Sequence, residues 1–181
     1  DQRPVIEKYS DELEQKYEDT VGLALSRLAP ATVAAGQGVT RFAVNRRNNP
    51  EAIVPKLIAE QALKGPVDHS VPVLSVKAAA GKVMAVVFGY ACHNTTLSFY
   101  KWAGDYAGFA QMALERSHPG AVAMFYMGCG ADQNPLPRHE VVLAEKYGAE
   151  LGGAVASVSD APMTPVEGAV SARYKVIPLA L

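Results

Sequence analysis

GDYAGFAQMALERSHPGAVAMFYMG, residues 104–128, decides the fold. Its first half carries apolar residues on one face from 104 to 117, with Asp105 as a candidate N-cap and Pro119-Gly120 as a stop, which predicts a helix. Its second half, 120–128, is almost continuously apolar, the pattern of a strand covered on both faces. The stretch upstream, VMAVVFGYAC (83–92), is also β-rich, so the order is strand, helix, strand. That order implies a crossover connection and a sheet that is at least partly parallel.

Working outward, VPVLSVKAA (71–79) and 83–92 are joined by a short segment containing Gly81, which predicts a hairpin. VTRFAVNRR (39–47) reads as a strand, and the NNPEAIVPKL that follows reads as an irregular surface loop. Residues 4–28 place Ile6, Tyr9, Leu13, Tyr17, Val21, Leu25 and Leu28 at three- and four-residue spacing, an amphipathic helix ended by Pro30 and expected to cover a sheet. Residues 137–157 give another surface helix. The expectation is an α/β fold, a mixed and partly parallel sheet flanked by amphipathic helices, with residues 1–181 forming a single domain or one segment of a larger domain.

Composition bounds the function. The 181 residues are 49% hydrophobic, enough for one packed core. A net charge of −1 without a basic stripe argues against a nucleic-acid partner. No apolar run reaches the roughly 20 residues needed to span a bilayer. The start at Asp1 and the strand-like YKVIPLAL at the end suggest an excised or processed segment. Cys92 and Cys129 lack metal-binding spacing and read as buried thiols or, if their strands are neighbours, as a disulfide.

Candidate chemistry gathers at strand ends, where ligands of such sheets collect. His93, in CHNTT, reads either as a histidine satisfied within its loop or as a metal ligand held among hydroxyl and amide groups. Arg46 and Arg47 close a strand beside an Asn-rich loop, and an arginine there can hold a carboxylate or oxyanion, although a solvated face explains one of the two equally well. Asp132 follows Gly128, Gly130 and Ala131, small residues that permit a sharp turn or close approach to a ligand. Asp68 and His69 read as a structural turn, and His118 and His139 as solvent-facing. The nucleophile-elbow and P-loop patterns are both missing.

Taken together, FAVNRR (42–47), GPVDHSVPVLSV (65–76), VVFGYACHNTTL (86–97), AGDYAGFAQMALE (103–115) and MGCGADQNP (127–135) resemble the N-terminal catalytic domain of the neutral/alkaline non-lysosomal ceramidases over residues 39–136. The resemblance implies a zinc-dependent amidohydrolase that cleaves an N-acyl bond, as in ceramide. It puts His93 at the second zinc histidine and Arg46 at the active-site arginine. The first zinc histidine would fall before Asp1, and the glutamate and tyrosine ligands after Leu181. The serine of the family's GDxSPN motif, its proposed nucleophile, aligns with Asn134, an amide that cannot attack as an alkoxide. The resemblance therefore leaves two expectations: hydrolysis by an activated water, with Asp132 or Asn134 positioning it or the oxyanion, or a non-catalytic relative that binds a lipid, glycan or protein. It also implies a lipid or other small amide substrate, contact with a membrane surface, and an extracellular or periplasmic location.

Overall fold

The computed structural model describes residues 2–178, which divide into two compact units, one up to Ala31 and one from Thr32 onward. The first unit is a helix, α1 (Arg3–Ser26), with Pro4 in its first turn. Its apolar residues are at the expected spacing, but none of α1 is buried.

The second unit is built on a sheet of five strands in the order β5-β4-β3-β1-β7. They are β1 (Ala31–Val39), β3 (Ser70–Ala78), β4 (Val83–Tyr90), β5 (Val122–Met127) and β7 (Thr164–Pro165). β3 and β4 form the expected antiparallel hairpin, with Val73 opposite Phe88. β4 and β5 run parallel, with Val86 beside Ala123 and Phe88 beside Phe125, joined through α3 (Asp105–Ser117). The expected mixed, partly parallel sheet with flanking helices is thus the observed architecture.

α3 and α4 (Val141–Asp160) pack on each other and against one face of the sheet. Ala144, Tyr147, Leu151 and Val155, at spacings of three and four, form the stripe by which α4 enters the core, where they join Tyr106, Ala110 and Leu114 of α3 and Val71, Val73, Val86 and Phe88 of the sheet. The helices cross closely at Gly148, where a Cβ would lie 2.4 Å from Phe109 Cβ and 2.8 Å from the Tyr106 carbonyl oxygen.

Four expectations are corrected. The NNPEAIVPKL stretch is not wholly an irregular loop: a 3-10 turn at Glu51–Ile53 leads into a short helix, α2 (Val54–Ala59), which buries Val54. β5 is not covered on both faces: it is an edge strand, and Val122, Met124, Tyr126 and Met127 remain exposed. The strand expected over 39–47 shrinks to β2 (Ala43–Asn45), whereas residues 31–39, too rich in Ala and Gly to register as β, form β1. Asp105 is not the N-cap of α3; Gly104 holds that position, and Asp105 is the first helical residue, with φ at +51°.

Candidate functional site

A second, two-stranded sheet assembles the predicted residues. β2 pairs antiparallel with β6 (Gln133–Pro135), setting Val44 opposite Asn134 and Asn45 opposite Gln133. One residue further, the Arg46 N–H donates to the Asp132 carbonyl (2.8 Å), and the Arg46 Nε and Nη2 both donate to the Ala131 carbonyl (3.1 and 3.0 Å). From the other side the His93 N–H donates to the Gln133 carbonyl (3.0 Å). Arg46, His93, Asp132 and Asn134, which are separated by up to 88 positions in the chain, therefore share one short backbone network.

The small residues of MGCGADQNP make this convergence possible. Gly128 N–H bonds the Tyr90 carbonyl at the end of β4, and a Cβ on Gly130 would lie 2.6 Å from the Cys92 nitrogen. Only glycine lets the two strand-end loops approach backbone to backbone at that point. Cys92 is buried and Cys129 exposed, and both are free thiols. Burial pushes the Cys92 thiol well above its ordinary range, so it is a neutral packing group and not a nucleophile.

Beneath the network lies an aromatic cluster. Phe42 sits 4.8 Å from Tyr90, 5.0 Å from Tyr106 and 4.7 Å from Tyr147, measured between ring centres. Each tyrosine spends its hydroxyl on a different site loop. The Tyr90 hydroxyl accepts from Ala43 N–H and donates to the Thr40 carbonyl (both 3.1 Å), that of Tyr106 donates to the Cys92 carbonyl (2.6 Å), and that of Tyr147 donates to the Pro137 carbonyl (2.6 Å). Burial raises all three phenols, Tyr147 to about 12, so they remain neutral donors. The loops that precede β2, follow β4 and follow β6 are in this way tied to one rigid floor.

Polar residues that sequence reasoning passed over complete the frame. Asn45, 2% exposed, donates to the Pro66 carbonyl (2.9 Å) and to Asp132 Oδ2 (3.1 Å), while its Oδ1 accepts from the N–H groups of Arg47 and Asn48. Asn49 bridges the carbonyls of Asn45 and Lys64. The signal was present in NRRNNP, since Asn side chains characteristically satisfy the backbone of a turn. Gln133 Oε1 accepts from Asp68 N–H (3.0 Å), and the Asp68 carboxylate accepts from Ser70 N–H and hydroxyl, which holds it below the ordinary carboxylate range; the 68–70 segment is the expected structural turn.

His139, read from sequence as solvent-facing, is exposed but engaged. Its N–H donates to the Thr96 carbonyl, and its ring meets Ser98 Oγ (3.1 Å) and Glu51 Oε1 (3.2 Å). Arg138 clasps the same Glu51 in a two-point pair (2.8 and 2.7 Å) and reaches the Thr95 carbonyl. The Arg138 hydrogen bond, more than any other influence, lowers the Glu51 pKa from 4.5.

The Arg46 side chain remains exposed, with its Nη1 edge unbonded among the described residues, and the half-buried His93 ring likewise makes no hydrogen bond with them. Beside His93, the hydroxyls of Thr95 and Thr96 are buried without a hydrogen-bond partner among the described residues. Among the described residues no three His, Cys, Asp or Glu side chains converge, so they form no complete metal site, and the buried Asp105 carboxylate is committed to the N–H groups of Leu97 and Tyr106; the resemblance gives these 181 residues a single zinc ligand, His93.

Compared with known proteins, the chain matches no protein-family model and no curated protein. It is similar in structure to a ceramidase complexed with C2, at 20% identity and a TM-score of 0.66, over 81% of this chain and 25% of that one. It is likewise similar to the neutral ceramidase of Pseudomonas aeruginosa, at 20% identity and a TM-score of 0.66, over 82% of this chain and 26% of that one. The chain thus has the fold of a part of these enzymes and spans about a quarter of their length.

Proposed function

We propose that this ceramidase-fold chain carries part of the active site of a hydrolase that cleaves an N-acyl bond, with a lipid amide such as ceramide as the substrate class. The observation that carries the reading is the convergence of Arg46, His93, Asp132 and Asn134 on the β2–β6 ladder, in a chain whose fold is that of ceramidases. In this reading the free edge of the Arg46 guanidinium receives the oxygen on which charge develops as the amide carbonyl is attacked. Asp132, oriented by Asn45, accepts a proton from the attacking water. Asn134 contributes an amide that orients water or substrate and cannot itself become the nucleophile.

His93 is proposed as one ligand of a zinc ion whose other ligands lie outside these 181 residues. The location that goes with this reading is extracellular or periplasmic. The test is hydrolysis of a short-acyl ceramide by the longest protein that contains this sequence. Arg46→Ala is expected to lower kcat/KM by about 10²-fold or more, as loss of an oxyanion donor does, and an unchanged kcat/KM would remove Arg46 from the site.

Asn134 itself favours a second reading, a ceramidase-fold relative that binds its ligand without cleaving it. Asn134→Ser separates the two. Ceramide hydrolysis that emerges only in the variant supports the binding protein, whereas activity already present in the parent supports the hydrolase.

A further inference from the structure

Between the His93 segment and α3 runs LSFYKWAG, residues 97–104, a loop that the site does not use. Its root is fixed. The Leu97 N–H donates to Asp105 Oδ2 (2.8 Å), Ser98 Oγ meets the His139 ring, and the Lys101 N–H closes a turn on the Phe99 carbonyl (3.0 Å). Its tip points away from the protein. Phe99 is 41% exposed, and Tyr100 and Trp102 are as exposed as in an open peptide, at 108% and 104%.

Three aromatic rings held out by an anchored loop, with Lys101 among them, are costly to leave in water. Beside them an open apolar groove of about 250 Å³ runs along Leu97, Phe99, Trp102, Phe109, Met112 and Val141. A cleft of about 240 Å³ on the loop's other side is lined by Lys101 and by Asn94, the neighbour of His93. Residues 94–104 contain no acidic side chain, and the adjacent Asp105 carboxylate is buried and bonded to backbone, so the tip presents Lys101 uncompensated.

We infer that the Phe99–Trp102 tip is a membrane-surface anchor that inserts into the headgroup region of an anionic bilayer and holds the His93 side of the site against it. A convex tip suits a deformable lipid surface. Tyr and Trp combine an apolar body with one polar atom, the combination that settles at the bilayer interface, and Lys reaches anionic headgroups from there. Such binding does not depend on whether any bond is cleaved, so it is tested apart from hydrolysis.

Trp102 is the single tryptophan of the 181 residues, and in the longest protein that contains this sequence the part of the emission lost in Trp102→Phe reports on the tip. With phosphatidylcholine vesicles containing phosphatidylserine, the emission is expected to shift to the blue and to become shielded from iodide. Tyr100→Ser is expected to weaken vesicle binding about tenfold. Lys101→Gln is expected to weaken it about fivefold on anionic vesicles and little on pure phosphatidylcholine. Both positions are exposed, so the variants should keep the parent's far-UV circular dichroism. Emission that stays unmoved while the protein sediments with vesicles would overturn the inference. So would emission already blue-shifted before vesicles are added and unchanged by them, since the tip would then be covered by protein.

Discussion

Asn45 shows how much of this site rests on one uncharged side chain. It uses both amide hydrogens and its oxygen, linking the Pro66 carbonyl, Asp132 and the turn at Arg47-Asn48 while itself buried. Asn45→Ala removes four part-buried bonds, and is expected to cost about 3 kcal/mol by urea denaturation. Tyr106→Phe removes one hydrogen bond from the Cys92 carbonyl and leaves the packing against Phe42 intact, for a loss of about 1 kcal/mol. Arg46, His93 and Asp132 could be singled out in the sequence by residue type and strand-end position, and Asn134 only through the resemblance. For Asn45 only the local turn bonds were legible in NRRNNP; its burial and its partner 87 positions away were not.

At the scale of elements, the site depends on backbone segments that approach more closely than a side chain allows. Gly130→Ala would press a methyl group on the Cys92 nitrogen, where neither backbone can yield cheaply, and is expected to cost about 2 kcal/mol in the same measurement. The Glu51–Arg138–His139 group ties the loop after β6 to the Thr95–Ser98 segment, and its charge state gives a pH dependence. Since Arg138 holds the folded-state pKa of Glu51 below 4.5, its contribution is complete above that value and disappears as pH falls through the lower folded-state pKa. The melting temperature of Glu51→Gln should therefore lie below the parent's at neutral pH and converge on it in acid.

The legibility of elements follows the same physics. The β3–β4 hairpin, α3 and the parallel return to β5 are dense in apolar residues of clear period, and the sequence pattern placed them well. β1 was missed because ATVAAGQGV has small side chains that fit the sheet without signalling it. β6 was missed because three residues, held by pairing with β2, have no period to read. The apolar run of β5 predicted cover on both faces, but periodicity does not reveal what stands beside a strand.

For the whole molecule, a sheet with α3 and α4 on one face sets two strand-end loops and the β2–β6 ribbon around one point. The likeness to ceramidases covers four-fifths of this chain and a quarter of theirs. The order of the five family-like segments made that likeness visible in the sequence, whereas the contacts that bind those segments into one site are long-range and became visible only in three dimensions. The most direct measurement of the central claim is metal analysis, paired with a ceramide hydrolysis assay, on the longest protein containing this sequence and on its His93→Ala variant. The account predicts about one zinc per chain in the parent, and loss of both zinc and N-acyl cleavage in a variant that still folds. A variant that keeps the parent's zinc content and activity would contradict it.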